Sequence, residues 1–257
     1  MFNVVVITVA MIIAFLIYSL YFGNANNFQD PATKKKPKPG SVIGNIYTGG
    51  PIVAILMGLV IISITFVFER ILSINKAKGK GDISAYVKKV LEHLQKGAYD
   101  DALLECEKQR GSLANIMRAA IERFKTIEND SDYPTEKKML EVQRSIDEAT
   151  NLETPLLEKN LVILSTVASI STLFGLLGTT VGMIRAFAAF GDTGTVDATQ
   201  LAVGISEALY NTAGGLGGAI ISIVAYNYFT TKVDNYVYMI DEAILNLTQL
   251  FTVRVKK

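Results

Sequence analysis

Two long apolar stretches, Leu161–Phe190 and Leu201–Phe229, constrain the fold of this chain more than any other feature. About 20 apolar residues are enough for a helix to cross the hydrocarbon core of a bilayer, and each stretch exceeds that length. Only the short polar segment Gly191–Gln200 separates them. The pattern therefore predicts two membrane-spanning helices that are joined as a hairpin.

Small and hydroxylated residues recur at steps of three and four along both stretches, which places them on one face of each helix. The first stripe contains Ser165, Ala168, Thr172, Gly175, Thr179, Gly182 and Ala186, and the second contains Ala208, Thr212, Gly215, Ala219 and Ser222. Lipid offers a hydroxyl group no hydrogen-bond partner. Both stripes are therefore expected to face protein or water.

Two interpretations of the stripes remain open. Small residues let membrane helices pack closely, and the candidate packing positions are Gly175, Gly178, Gly182, Gly214, Gly215 and Gly218. Alternatively, polar side chains line a path for a proton or another cation, and the candidate pathway positions are Ser165, Thr172, Thr179, Glu207, Thr212 and Ser222. Glu207 marks a functional site if it lies at membrane depth, and an ordinary hydrated position if it lies near the surface.

Two further apolar segments, Phe2–Phe22 and about Pro51–Phe68, are long enough to span a membrane. We expect the first to be a retained helix, because no basic residue precedes it and it is longer than the apolar part of a signal peptide. A cleaved signal is the alternative. The segment between them, Gly23–Asn45, is rich in Asn, Pro and Lys and is expected to be an extended linker.

The distribution of basic residues predicts the orientation of the chain. Lys76, Lys78 and Lys80 follow the second apolar segment and begin a long charged region, which the positive-inside rule places in the cytoplasm. The basic run Lys34–Lys38 then lies outside, together with the hairpin turn that contains Asp192 and Asp197. The expected protein has four spans, with both termini in the cytoplasm.

The remaining sequence predicts helices throughout, so the expected fold is an all-α integral membrane protein with a small cytoplasmic helical region. Asp82 caps one amphipathic helix, and Tyr99–Gln109 and Ser112–Phe124 are two more. Four segments are expected, namely residues 1–45, 46–75, 76–155 and 156–257. The C-terminal extension carries an apolar stripe that we expect other copies of the chain to cover, at Val233, Val237, Ile240, Ile244, Leu247 and Phe251.

Composition and motifs argue against several other classes. A net charge of +1, with 19% charged residues, does not suggest nucleic-acid binding. Cys106 is the only cysteine, so an intrachain disulfide is not possible, and His93 is the only histidine and has no metal-ligand spacing around it. No phosphate-binding loop or nucleophile arrangement is visible. We therefore expect neither an enzyme nor a metal or cofactor site.

Two runs of sequence resemble a known family. Phe174–Phe187 reads FGLLGTTVGMIRAF, and Ile205–Leu216 reads ISEALYNTAGGL. They resemble the two signatures of the MotA/TolQ/ExbB proton-channel family, at the separation that this family has. The order of the surrounding segments is closer to ExbB and TolQ than to MotA.

The resemblance implies a homopentamer in the bacterial inner membrane, whose Leu161–Phe229 hairpins surround a pore. It implies a proton-channel or stator subunit that works with an ExbD/TolR-like protein, which has one membrane helix bearing an aspartate. In the ExbB-like role, proton flow drives a TonB-like protein for outer-membrane transport. A TolQ-like envelope-constriction motor, a MotA-like or gliding stator, and a non-conducting membrane scaffold are the alternatives.

A proton-driven motor needs a group within the membrane that gains and loses a proton. Threonine hydroxyls do not titrate in the working range, and Glu207 is the only carboxylate in either of the two long apolar stretches. If Glu207 lies near one mouth, it cannot serve the middle of the membrane. We therefore expect a partner to bring the titrating group, with the proton as the transported ion.

Overall fold

The computed structural model describes residues 2–30, 34, 37–128, 130, 134–191 and 198–255. Within these ranges the chain is helical and has no β-strand, which confirms the prediction of an all-α protein. The α-helices are α1 (Phe2–Leu16), α2 (Val42–Tyr47), α3 (Pro51–Lys78), α4 (Ile83–Gln95), α5 (Tyr99–Gln109), α6 (Ser112–Ile127), α7 (Thr135–Glu158), α8 (Leu161–Gly191) and α9 (Ala198–Val255).

Four helical stretches are long and apolar enough to cross a membrane. They are Asn3–Phe22, Pro51–Gln95, Thr135–Ala188 and Leu201–Val255, and each overlaps one of the four predicted spans. In the predicted hairpin turn, residues 192–197, with Asp192 and Asp197, lie outside the described residues.

The chain divides into two compact units. The first unit contains Met1–Phe68 and Asn160–Asn227, and the second contains Glu69–Lys159 and Tyr228–Lys257. The first unit holds the apolar spans, and the second holds the charged region with the C-terminal part of α9.

Within the first unit, α1 packs on α3 at a glycine. The side chain of Met11 occupies the space where a Cβ atom of Gly58 would be, and Ala14 lies 3.5 Å from that position. At its beginning, α1 is held by the side chain of Asn3, whose Nδ2 donates to Oδ1 of Asn160 at 2.7 Å. The N-terminal helix α1 is thus part of the packed unit.

The expectation of an extended linker over Gly23–Asn45 is wrong for the part that the structure describes. Phe28 is buried and packs edge-on against Tyr47, with 5.3 Å between the ring centres. The ring of Tyr47 also stacks on Tyr18 at 4.7 Å. Polar composition predicted a solvated chain, but these aromatic rings bury enough apolar surface to fold the segment onto the helices. Lys35 and Lys36 lie outside the described residues.

The helices of the second unit follow their sequence signals closely. The carboxylate of Asp82 accepts a hydrogen bond from the backbone N–H of Ala85 at 3.0 Å, which confirms it as the N-cap of α4. Helix α5 begins and ends where it was predicted, and α6 continues three residues beyond Phe124 to Ile127.

The apolar stripe of the C-terminal extension is covered by its own chain. Leu247 and Phe251 are fully buried, and the ring of Phe251 stacks on Phe124 of α6 with 4.0 Å between centres. The hydroxyl of Tyr236 donates to the backbone oxygen of Ala77 at 2.8 Å. The expectation that other copies cover this stripe is therefore wrong for its four buried residues, Val233, Ile240, Leu247 and Phe251, because helical periodicity identifies a buried face but not what buries it.

Burial should make Cys106 unreactive in the folded protein. The residue is 3% exposed, and its thiol sulfur accepts a hydrogen bond from the Tyr86 hydroxyl at 3.1 Å. Burial raises the pKa of this thiol, so the reactive thiolate is scarce at neutral pH. We expect maleimide labelling to be slow in the native membrane and fast after denaturation in detergent. The exposed position of Ser84 offers a control, since a Ser84→Cys variant should label quickly at that site. Equal native rates at both sites would contradict this prediction.

Candidate functional site

Helices α8 and α9 meet along a seam in which glycines bring the two backbones together. A Cβ atom added to Gly215 would lie 2.6 Å from the Cα atom of Gly175. A Cβ atom added to Gly204 would lie 2.7 Å from the Cβ atom of Ala186. Residues of α8 with higher numbers face residues of α9 with lower numbers, so the two helices run antiparallel. The register between them stays the same along the seam.

The other candidate packing glycines differ in what they face. Gly178 and Gly182 lie in the α8–α9 seam, where an added side chain would overlap α9. Gly218 lies where α8 and α3 both approach α9. Gly214 faces only Leu56 of α3, at the ordinary contact distance of 3.5 Å. Gly214 is thus the one candidate that leaves room for a larger residue.

The hydroxyl groups of Thr179 and Thr212 meet across this seam and are hydrogen-bonded to each other. Each hydroxyl also lies 3.2 Å from a backbone oxygen one turn earlier in its own helix, that of Gly175 for Thr179 and that of Ala208 for Thr212. A hydroxyl has one hydrogen, so only one of the two can donate to the other at a time. The pair can therefore alternate between two hydrogen-bond arrangements.

Ser165 and Thr172 lie on the same face of α8 as Thr179. They line an open groove of about 560 Å³ together with Tyr226 of α9. The hydroxyl of Thr172 donates to the backbone oxygen of Ala168 at 3.2 Å, and that of Ser165 donates to its own helix in the same way. These two candidate pathway residues thus lie together in one groove, on the N-terminal side of Thr179 in α8.

Ser222 lies apart from the other candidate pathway residues. Its side chain is fully buried, and its hydroxyl is hydrogen-bonded to that of Ser63 in α3 at 2.5 Å. It also donates to the backbone oxygen of Gly218 at 2.8 Å. Ser222 therefore joins α9 to α3. Nearby, the buried hydroxyl of Ser171 has no hydrogen-bond partner among the described residues.

Glu207 is buried and forms an ion pair with Arg185 of α8. The carboxylate side chain is 7% exposed and the arginine side chain is 54% exposed. The sequence-based interpretation gave Arg185 no role, although it is the only Lys or Arg in residues 160–231. A single basic residue in one span and a single carboxylate in the next were the signal for this pair.

Asn211, one turn beyond Glu207 on α9, is also fully buried. Its Nδ2 donates to the backbone oxygen of Gly49 at 2.9 Å, in the turn that precedes α3. The next residue, Gly50, has a φ of +76°, and a Cβ atom on it would lie 2.9 Å from Oε1 of Glu207. Two polar side chains of α9 thus lie against the turn that precedes α3, and Asn211 is hydrogen-bonded to it.

This arrangement is suited to carrying a proton along hydroxyl groups but not to storing one. The threonine pair can donate and accept in both directions. The one carboxylate of the site, Glu207, is already occupied by a guanidinium. Within the described ranges, no group of three His, Cys, Asp or Glu side chains is placed to bind a metal ion.

Comparisons with known proteins agree with the two signature runs. The model of the MotA/TolQ/ExbB proton channel family matches residues 108–242, which is more than half of the chain. The chain is 39% identical to the Tol-Pal system protein TolQ of Haemophilus influenzae over 103 residues, which are 38% of this chain and 45% of that protein. It is 43% identical to the biopolymer transport protein ExbB of Aquifex aeolicus over 77 residues, which are 30% of this chain and 52% of that protein.

A third relative has a less specific name. The putative biopolymer transport protein ExbB-like 3 of Synechocystis is 37% identical over 91 residues, which are 35% of this chain and 43% of that protein. The chain spans about half the length of the curated relatives it matches. The names of these relatives include both ExbB and TolQ.

The glycine seam can be tested with two neighbouring glycines of α9. Gly215→Ala adds a Cβ atom 2.6 Å from Gly175, so the helices must separate, and we expect a loss of about 1–3 kcal/mol in stability. Gly217→Ala is the control, because nothing lies within 4 Å of the added atom and alanine favours the helix. Thermal unfolding of the full chain in detergent measures both variants. Equal midpoints for the two variants would argue against a backbone contact at Gly215.

Proposed function

This chain belongs to the MotA/TolQ/ExbB proton channel family, and we propose that it is the proton-conducting subunit of a motor in the bacterial inner membrane. It is a multi-pass membrane protein, with four helices long and apolar enough to span. The family is one of channel and transport subunits, which argues against an enzyme. The transported ion in this proposal is the proton, and no further cofactor is required.

The contact between Thr179 and Thr212 carries the proposal. Their hydroxyls form a two-way hydrogen-bonded pair within two membrane-spanning helices. Such a pair can accept a proton on one side and release one on the other, provided that a titrating group lies beside it. Ser165 and Thr172 extend the polar face along α8 towards an open groove.

The titrating group must come from another protein in this proposal. Glu207 is held by Arg185, and threonine does not titrate in the working range. The family resemblance supplies an ExbD/TolR-like partner, with one membrane helix that bears an aspartate. Protonation of that aspartate beside the threonines removes its charge and lets the partner helix move, and loss of the proton resets it.

The proposed assembly is a homopentamer that encloses the partner helix, and its support is the family resemblance. Both termini are proposed to be cytoplasmic. The turn at Gly49–Gly50 lies beside Glu207, close to the α8–α9 connection in sequence. This supports placing the Gly23–Asn45 segment and the hairpin turn on one side, which is the periplasmic side in this proposal.

Two members of the family suggest different uses of the same motor. In the ExbB-like role, which the identity with ExbB of Aquifex aeolicus supports, the motor drives a TonB-like protein for transport across the outer membrane. In the TolQ-like role it drives envelope constriction, and the identity with TolQ of Haemophilus influenzae supports that alternative. The periplasmic domain of the partner protein distinguishes the two.

Removal of both pathway hydroxyls tests the proton-conducting function. In cells that co-express the partner, Thr179→Ala combined with Thr212→Ala should abolish proton flux and energised uptake, because the relay is gone. Protein level and oligomeric state should stay the same. Thr180→Ala is the matched control, since its hydroxyl bonds to carbonyls of its own helix. If the double variant still supports energised uptake, the pathway is elsewhere and the scaffold alternative gains support.

Purification of the tagged chain with the products of its neighbouring genes tests the partner. We expect a small protein with one membrane helix that contains an aspartate, because no free titrating group lies at this site among the residues that the structure describes. Mass spectrometry of the purified complex identifies it. A TonB-associated partner supports the ExbB-like role and a Tol-associated partner supports the TolQ-like role. Recovery of a homo-oligomer alone would argue against the motor.

A further inference from the structure

We propose that Arg185 is a positioning residue that, with Glu207 and Asn211, forms a latch between the hairpin and the turn that precedes α3, Gly49–Gly50. The latch keeps the threonine pair aligned, and Glu207 serves in it as a permanent partner of Arg185 and not as a proton carrier. The consequence for proton flux rests on the proposed function. The geometry of the latch stands without it.

The first part of the latch is the ion pair between α8 and α9. The side chain of Glu207 is almost fully buried, so its charge requires a partner at close range. Nη1 of Arg185 donates a hydrogen bond to Oε1 of Glu207. The arginine side chain itself remains about half exposed. Removal of either residue would leave the other charge unmatched within the first unit.

The second part is the turn that opens α3. A Cβ atom on Gly50 would lie 2.9 Å from Oε1 of Glu207 and 3.4 Å from Nη1 of Arg185, so the ion pair occupies the space that a side chain at this position would need. Asn211 holds the preceding peptide through its bond to the oxygen of Gly49. Arg185 of α8 and two side chains of α9 thus join these two helices to the turn that precedes α3.

The short π-helical segment that follows α1, Ile17–Phe22, supports the same turn. The hydroxyl of Tyr18 donates to the backbone oxygen of Tyr47 at 3.1 Å, two residues before Gly49, and the two rings stack. The turn is therefore held on one side by the latch and on the other by an aromatic pair.

The latch lies close to the threonine pair along both helices. Arg185 follows Thr179 by six residues and Glu207 precedes Thr212 by five, which corresponds to about 8–9 Å along the axis. Rotation of either helix by one residue would turn its threonine away from the seam by about 100°. Because Asn211 also fills the space beside Gly178, the latch restrains that rotation.

Charge exchange distinguishes a latch from a proton carrier. The full chain is co-expressed with its partner as Arg185→Glu, as Glu207→Arg and as the double exchange, with Arg185→Lys as the conservative variant. Proton flux into membrane vesicles is measured, together with hydrogen–deuterium exchange of the peptide that contains Gly50 and Val53. That turn is protected by the bond from the N–H of Val53 to the oxygen of Gly50.

We expect each single reversal to lower proton flux by about tenfold or more and to speed exchange at the turn, because two like charges then face each other. The double exchange should restore both readouts, and Arg185→Lys should retain most of the flux. Arg144→Glu is the control, since Arg144 and Glu148 form an exposed ion pair in the second unit. Asn211→Leu should loosen the turn without changing any charge.

Restored protection with lost flux in the double exchange would overturn the proposal, since the carboxylate would then be needed at position 207 itself. Unchanged exchange in Arg185→Glu and in Asn211→Leu would also overturn it, because neither contact would hold the turn. If the wild-type complex conducts no protons, the proposed function fails, and the exchange data still decide whether the latch exists.

Discussion

The contact between the backbones of α8 and α9 is the constraint on which the rest of the first unit depends. Without a side chain at Gly175 and Gly215, the helix axes come close enough for short side chains to reach across the seam. Threonine is one of the few polar residues that fit there, and at this separation Thr179 and Thr212 bond directly. A larger residue at either glycine would separate the hydroxyls as well as the helices. Close packing and a polar path are therefore two results of the same spacing, and the sequence pattern alone does not separate them.

The buried polar side chains of the first unit mostly bond to a different element of the fold, whereas its exposed hydroxyls bond within their own helices. Ser63 with Ser222 joins α3 to α9, and Asn211 joins α9 to the turn before α3. Lipid provides no alternative partner for such groups, so each pair favours one arrangement of the helices over others. Apolar packing between helices in a membrane lacks the hydrophobic driving force it has in water, which gives these few polar contacts a large share in specifying the fold. The ion pair of Arg185 and Glu207 extends this pattern to charged groups.

Sequence reasoning succeeded where a local signal decides the structure. Asp82 as a helix cap, the bounds of α5 and the apolar spans all follow from patterns that a single helix carries. It failed where the partner of a residue is distant in sequence. The stripe at Leu247 and Phe251 was recognised as a buried face, but its cover is α6 of the same chain. The burial of Phe28 was not predicted, because the residues around it in the sequence are mostly polar and the prediction followed their composition. Among the candidate site residues, Thr179 and Thr212 are hydrogen-bonded to each other across the seam. Ser222 pairs instead with Ser63 of α3, and helical periodicity could not identify that partner.

The pairing of Arg185 with Glu207 also determines how the membrane voltage acts on this protein. An elementary charge that moves through a potential of 100 mV exchanges about 2.3 kcal/mol with the field. A guanidinium and a carboxylate that move together carry no net charge, so their contributions cancel. The voltage then performs no net work on this ion pair. In the proposed motor, the voltage therefore acts on the protons in transit and on the partner's aspartate, and not on the paired charges of Arg185 and Glu207.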